Sequence, residues 1–172
     1  MGKLKRLSIL IVLLCSATFC GSFCFANQIS FQIVQHDASL DNLSEDSMVI
    51  EDSVLNKFFE YGYIVTNSDA AISDSESQDE RLYKIGSGDA FNGYSDYFVQ
   101  IKLYYEKSSQ TTSSSSNLYK IDYSITNIKT GSKIVHEILE NLEFDKIKKN
   151  NLSKVSNELV SHISKALKAN KA

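Results

Sequence analysis

Residues 97–106 read Tyr-Phe-Val-Gln-Ile-Lys-Leu-Tyr-Tyr-Glu, and residues 119–126 read Tyr-Lys-Ile-Asp-Tyr-Ser-Ile-Thr. In both segments every second side chain is apolar or aromatic, which predicts a strand with one apolar face. Such strands are typical of an antiparallel sheet that is covered on one side. The serine-rich stretch at 108–117 joins the two segments and has no apolar residue to bury, so it predicts a hairpin loop. These residues decide the fold: a sheet built around an antiparallel hairpin.

Three shorter segments predict further strands. Residues 29–35 (Ile-Ser-Phe-Gln-Ile-Val-Gln) alternate in the same way, and residues 63–66 (Tyr-Ile-Val-Thr) form a short run of strand-favouring side chains. After a turn at Gly131, residues 133–139 predict another strand, with Phe144 as its furthest extent.

Two helices are predicted from apolar side chains at helical spacing. Ser44 is placed to cap the first helix, which ends at Gly62, a residue that readily takes the left-handed C-cap conformation. The apolar positions of this helix are Met48, Ile50, Val54, Leu55, Phe58 and Phe59. The last helix of the chain carries an apolar stripe of Leu152, Val155, Leu159, Ile163, Ala166 and Leu167.

A third helix is predicted over residues 75–85, since Leu82, Tyr83 and Ile85 can share one face. The glycines at positions 86, 88 and 93 predict that a loop follows it. The predicted fold class is therefore α+β: a single domain with a mixed, mainly antiparallel sheet of about five strands packed with two or three helices.

The first 26 residues predict an export signal, followed by one domain over 27–172. A basic start (Lys3, Lys5 and Arg6) precedes the apolar run 7–14, and Cys24-Phe25-Ala26 offers small residues at the two positions that a signal peptidase reads. All three cysteines fall in this segment, so the processed protein would contain none. The prediction is a periplasmic or otherwise exported bacterial protein that folds without disulfides.

Two alternatives to a cleaved signal stay open. Residues 7–26 contain no charge and approach the length that crosses a bilayer, so the segment could remain as an anchor. A lipid on Cys20 or Cys24 could instead tether the protein to a membrane. Phe19 and Phe23 argue against the lipid, because a small residue normally precedes an acylated cysteine.

Charge disfavours nucleic acid as a partner. The chain has 18 basic and 21 acidic residues, and the first 26 residues hold three of the basic ones and none of the acidic ones. The remainder therefore carries a formal charge of −6, from 15 basic and 21 acidic groups. A domain with this balance lacks the overall basic footprint of nucleic-acid binders.

The sequence predicts no catalytic, cofactor-binding or metal-binding residues. The three histidines have no metal-ligand spacing, no cysteine follows residue 26, and the Gly-x-Ser-x-Gly motif of many hydrolases is absent. The protein is therefore predicted not to be an enzyme and to need no small-molecule cofactor. The alternative is a secreted hydrolase or small-ligand-binding protein whose site gathers dispersed residues, for which His36, His136, Asp89 and Asp96 are the candidates.

Aromatic residues supply the candidate contacts with a protein partner. They are Tyr94, Phe98 and Tyr104, of which the last two fall on the nominally polar face of the strand at 97–106. Exposed aromatic side chains are common at protein interfaces. The alternative is that a helix covers this second face of the sheet.

The order of the elements resembles a known group of domains. The two segments that carry the resemblance are 58–66 (Phe-Phe-Glu-Tyr-Gly-Tyr-Ile-Val-Thr) and 127–135 (Asn-Ile-Lys-Thr-Gly-Ser-Lys-Ile-Val). They are similar to the helix-Gly-strand step and the Thr-Gly turn of the α/β domain shared by the TolB amino-terminal domain, the LpoB-type activators of penicillin-binding proteins and the CsgG-type lipoproteins. The serine-rich hairpin departs from that pattern. The resemblance implies a non-enzymatic envelope protein that works by binding another envelope protein.

Overall fold

The computed structural model of the chain describes residues 27–37, 41–107, 116–140 and 149–170. The strands are β1 (Gln28–His36), β2 (Ile64–Asn67), β3 (Ala71–Ile72), β4 (Tyr97–Lys107), β5 (Ser116–Asn127) and β6 (Ser132–Glu140). The helices are α1 (Glu45–Glu60), α2 (Glu76–Asn92) and α3 (Lys149–Ala169). The predicted signal at 1–26, most of the predicted serine-rich loop and Phe144 lie outside the described residues.

The strands form one mixed sheet in the order β2-β1-β4-β5-β6, with β3 also paired to β1. β1 runs parallel to β2, β3 and β4, whereas β4, β5 and β6 are antiparallel. The predicted hairpin is the β4–β5 pair, in which Ile101 lies opposite Tyr123. The α+β fold class is thus confirmed.

One face of the sheet carries the main apolar core, under helices α1 and α3. Strand side chains such as Phe31 and Ile101 meet Phe58 of α1 and Leu159 of α3, and all four are fully buried. α1 begins as predicted, since the Ser44 side chain accepts a hydrogen bond from the backbone N–H of Ser47 at 3.1 Å. Of the apolar residues of α1, Phe59 and Met48 are exposed and do not join the core.

The other face is covered in part by α2, which corrects the prediction of a loop after residue 85. The helix continues through Gly86 and Gly88 to Asn92. A Cβ added at Gly86 would lie 2.6 Å from the ring of Phe98, so this glycine allows the helix to approach the sheet closely. Each glycine inside a helix costs about 1 kcal/mol relative to alanine, and here the packing of α2 outweighs that cost.

Candidate functional site

The face of the sheet beneath α2 is unusually polar. It presents side chains that alternate with the core positions of β1 and β4, among them Gln32, Gln100 and Lys102. α2 packs mainly on β1 and β4, so the same face of β5 and β6 extends beyond the helix. The result is a polar floor beside a helical wall.

A cluster of three ionisable side chains connects α2 to this face. Asp79 of α2 is buried, and its Oδ2 lies 2.7 Å from Nζ of Lys102. Its Oδ1 lies 3.1 Å from Nε2 of His36, at ion-pair distance but without the alignment of a hydrogen bond. Asp79 therefore ties the first turn of α2 to both β1 and β4.

The ionisation of the cluster follows from its partners. Burial alone would raise the pKa of Asp79, but hydrogen bonds from Lys102 and Ser73 and the nearby His36 hold it below its ordinary value. Burial alone would lower the pKa of Lys102, but the Asp79 carboxylate raises it overall. Burial lowers the pKa of His36, although Asp79 opposes the change. At neutral pH the cluster is therefore an ion pair beside an uncharged imidazole.

A cleft of 440 Å³ opens between α2 and the polar floor. Tyr83 forms part of its wall and is fixed by a 2.7 Å hydrogen bond between its hydroxyl and that of Thr126. Nζ of Lys133, from β6, lies 5.8 Å from the centroid of the Tyr83 ring. The lining side chains are Glu76, Asp79, Glu80, Tyr83, Lys84, Gln100, Lys102 and Lys133.

The four residues of the dispersed-site alternative do not line this cleft. His36 contacts Asp79, whereas His136 contacts Asp122 at 2.8 Å. Asp96 pairs with Lys129 at 2.7 Å, and Asp89 is an exposed residue of α2. Within the described ranges no group of three metal-ligating side chains could hold a metal ion. The geometry thus brings together no acid, base and nucleophile from these four residues.

A second feature is a group of exposed apolar side chains around the start of β1, which we call the aromatic end. Two hydrogen bonds hold the segments that follow α1 and α2 beside the start of β1. Ile64 N–H donates to the Asn27 carbonyl at 3.1 Å, and the Gln28 side-chain amide donates to the Gly93 carbonyl at 2.8 Å. The aromatic end consists of Phe59, Tyr61, Ile64, Phe91 and Tyr94. These five make up more than half of the large apolar side chains that the described part of the chain exposes.

Tyr94 occupies a position that normally belongs to glycine. Its φ of 58° lies in the left-handed region. At the end of α2, Tyr94 N–H donates to the Phe91 carbonyl and Ser95 N–H to the Ala90 carbonyl, the two bonds of a Schellman motif with Tyr94 at C′. α1 ends in the same motif, but there the C′ residue is Gly62, with a φ of 82°. The Tyr94 side chain is 89% exposed, so no packing offsets its backbone strain.

The three predicted partner contacts lie in three different settings. Tyr94 belongs to the aromatic end. Phe98 is fully buried under α2, with its ring 5.7 Å from that of Tyr83. At this position a helix therefore covers the second face of the sheet, and Phe98 is not exposed to a partner. Tyr104 is half-buried, stacked on His36 at 4.4 Å with Lys120 Nζ 3.7 Å from its ring centroid. Tyr104 lies seven positions after Tyr97 along β4, roughly 23 Å away, so Tyr94 and Tyr104 lie toward opposite ends of the sheet.

Several residues of these two regions were not predicted. Asp79 and Lys102 meet only because α2 crosses β4, and nothing local in either segment indicates this contact. Phe91 lies within the stretch that the glycines at 86, 88 and 93 predict to be a loop. Tyr94 is among the predicted partner contacts, but its strained C′ position is not predicted, because that position follows only from a helix that extends to Gly93.

Comparisons with known proteins give a family and a set of similar folds. A family model described as "Uncharacterised protein" matches residues 28–170. No curated protein matches the chain. No helix of the described residues is long and apolar enough to cross a membrane.

Similar solved structures include TolB from Acinetobacter baumannii, at 15% identity and a TM-score of 0.43, with 83% of this chain and 28% of that one covered. The chain therefore spans less than a third of the TolB structure. The PelC dodecamer from Paraburkholderia phytofirmans is 12% identical, with a TM-score of 0.42 and coverage of 83% and 87%. A lipoprotein from Neisseria meningitidis is 11% identical, with a TM-score of 0.43 and coverage of 81% and 99%. TolB is one of the groups that the sequence resembles, but likenesses this weak support no inference about function.

Proposed function

We propose that this chain, which belongs to the uncharacterised protein family whose model matches residues 28–170, is an exported, non-enzymatic domain that binds another protein of the cell envelope. The proposed docking surface is the aromatic end. The alternative form of this proposal is the same binding domain tethered to a membrane through a lipid on Cys20 or Cys24.

The observation that carries the proposal is Tyr94. A residue other than glycine in the left-handed conformation costs about 1–2 kcal/mol, and such strain is concentrated at functional sites. The ring of Tyr94 projects into solvent, so it contributes little to the fold that holds it. A strained backbone that presents an exposed tyrosine is well suited to contact a partner, because Tyr combines apolar area with a polar tip.

The surroundings of Tyr94 support a protein partner. Phe59 and Phe91 are 75% and 67% exposed at the ends of α1 and α2, which flank the sheet on opposite faces at the end where Tyr94 lies, and exposed aromatic side chains are common at protein interfaces. Strand β2 starts at Ile64 and is the last strand of the sheet on this side. Its outer edge gives an extended partner segment backbone groups to pair with.

Export is supported by the sequence of the first 26 residues and by the absence of cysteine from the rest of the chain. A non-enzymatic role is supported by the arrangement of the polar face. Asp79 pairs with Lys102 and lies beside His36, and in the described part of the chain the Ser73 hydroxyl that contacts Asp79 is not hydrogen-bonded to His36.

The proposal is tested by photo-crosslinking in the producing bacterium. A photoreactive amino acid is placed at Tyr94 and, as a control, at Tyr119, which is exposed beside Tyr104 at the far end of the sheet. We expect a defined adduct with an envelope protein from position 94 and none from position 119. The adduct should be lost when Phe59 and Phe91 are both changed to serine. Equal adducts from both positions, or none from 94, would contradict the proposal.

A further inference from the structure

The charges that line the cleft are arranged by sign along its length. Glu76 and Glu80 lie one turn apart on α2, and Lys84 follows one turn later. Lys133 reaches the same region from β6, beside Tyr83. At the level of the two glutamates, Lys102 is neutralised by its ion pair with Asp79, which lies between Glu76 and Glu80 on α2. The cleft therefore has an acidic end, formed by Glu76 and Glu80, and a basic end, formed by Lys84 and Lys133.

These four charges have no ion-pair partners among the described residues. Glu80 and Lys84 even stand at the i, i+4 spacing that commonly pairs on a helix, and their charged atoms are not within 4.0 Å of each other. Gln100 of the sheet and Asp79 of the helix, which also line the cleft, are both buried. The cleft thus presents two separated pairs of unneutralised charges, one acidic and one basic, over a polar floor.

We propose that this cleft binds a short peptide with free termini, which would place its ammonium group at the acidic end and its carboxylate at the basic end. A rise of 1.5 Å per residue puts Lys84 roughly 6 Å from Glu80 and 12 Å from Glu76 along the helix axis. An extended chain spans about 3.3–3.6 Å per residue, so two or three residues bridge this range. The volume of 440 Å³ is within the ordinary range for small-molecule sites.

The charge balance of the cleft argues against simpler ligands. Its lining includes three carboxylates and three ammonium groups, so a lone anion or a lone cation would meet as many repelling charges as attracting ones. An uncharged ligand would gain no electrostatic attraction from the separate acidic and basic ends of the cleft. A molecule with an ammonium at one end and a carboxylate at the other matches both ends at once.

The test uses three peptides and the protein purified after expression of the full chain. Triglycine carries both charged termini, N-acetyl-triglycine lacks the ammonium, and triglycine amide lacks the carboxylate. Binding is followed by chemical shifts of the backbone amides in an isotope-labelled sample. We expect triglycine to shift the amides of residues 76–84 and 133, and each cap to weaken binding about tenfold, the scale of one charge-assisted contact.

Variants assign each terminus to its end of the cleft. In the Glu76→Gln, Glu80→Gln protein, acetylation should no longer matter, because the ammonium has lost its partners, whereas amidation should still weaken binding. In the Lys84→Gln, Lys133→Gln protein the pattern should be reversed. All four side chains are exposed, so the fold should tolerate the changes. The matched control is Lys154→Gln with Glu158→Gln, an exposed i, i+4 pair on α3 at the opposite face.

Three results would overturn the proposal. The first is no binding of triglycine up to about 10 mM, weaker than the millimolar affinity of a minimal site. The second is equal binding of the free and capped peptides to the unchanged protein. The third is an equal loss for all three peptides in both cleft variants, which would point to a disturbed fold rather than to recognition of the termini.

Discussion

Replacing Tyr94 by glycine should make the protein more stable and at the same time weaken its binding to a partner. The residue sits at C′ of α2 with a φ of 58°, in the conformation for which glycine has no steric penalty. Because the tyrosine ring is 89% exposed, its removal forfeits almost no buried apolar area. Stability and function are therefore expected to move in opposite directions at this position.

The magnitude follows from two opposing terms. Relief of the left-handed strain contributes about 1–2 kcal/mol. The greater freedom of glycine in the unfolded chain takes back about 0.5–1 kcal/mol. The net gain is about 1 kcal/mol, which for a domain of this size raises the Tm by roughly 4 °C.

The assay is urea or thermal unfolding of the unchanged protein, Tyr94→Gly and Tyr94→Ala. The alanine variant removes the ring but keeps the strain, so its stability should be close to that of the unchanged protein. Gly62→Ala gives the reverse test at the matching position of α1, where a φ of 82° predicts a loss of about 1 kcal/mol. If Tyr94→Gly and Tyr94→Ala are destabilised equally, the ring packs on the fold and the reasoning fails.

Three further predictions concern stability, each measured by unfolding. Gly86→Ala should destabilise the protein by about 1–3 kcal/mol, because the new Cβ meets the buried ring of Phe98. At Gly88 the new Cβ meets nothing, so Gly88→Ala should stabilise the protein by up to about 1 kcal/mol, and similar effects at both glycines would refute this. Phe58→Ala should cost about 3–5 kcal/mol and Phe59→Ala within about 0.5 kcal/mol, and a costly Phe59→Ala would show that its ring is packed. Since burial lowers the pKa of His36 in the folded state, stability should fall as the pH drops below about 6.5, where the unfolded histidine gains its proton first. His36→Asn should fall less steeply over that range, and an unchanged slope would contradict the assignment.

The hairpin of β4 and β5 could be predicted because the alternation of its side chains is a local property of the chain. The extent of α2 could not, because the role of Gly86 depends on the ring of Phe98, which is close in space only after the helix has docked. The same limit applies to Phe58 and Phe59: both are apolar and adjacent, and the docking of α1 on the sheet, where the ring of Phe58 lies 6.0 Å from that of Phe31, decides which one is buried. The secondary structure of a single segment could be predicted from its own residues, whereas contacts between segments could not.

The cleft and the aromatic end also differ in how much of each could be predicted from the sequence. The cleft needs β4, β6 and α2 to be assembled, since Gln100 and Lys133 come from different strands and face a helix from a third segment. Its charges look like an ordinary solvated helix face until Lys133 is seen opposite them. At the aromatic end, by contrast, one residue breaks the local preference for glycine at the C′ position of a helix. Tyr94 occupies this position in α2, whereas Gly62 occupies it in α1.

Both surfaces share helix α2 but use different parts of it. The first half of the helix, from Glu76 to Lys84, forms the wall of the cleft, while Phe91 and Tyr94 lie at its end. Between these parts Gly86 lies close to the ring of Phe98, so the middle of the helix is in contact with the sheet. Glu80 and Tyr94 are 14 residues apart, roughly 21 Å along the axis, and changes at side chains that far apart with no shared partners usually have additive effects. A peptide in the cleft and a partner at the aromatic end would therefore bind through separate groups, so that either proposal can fail without the other.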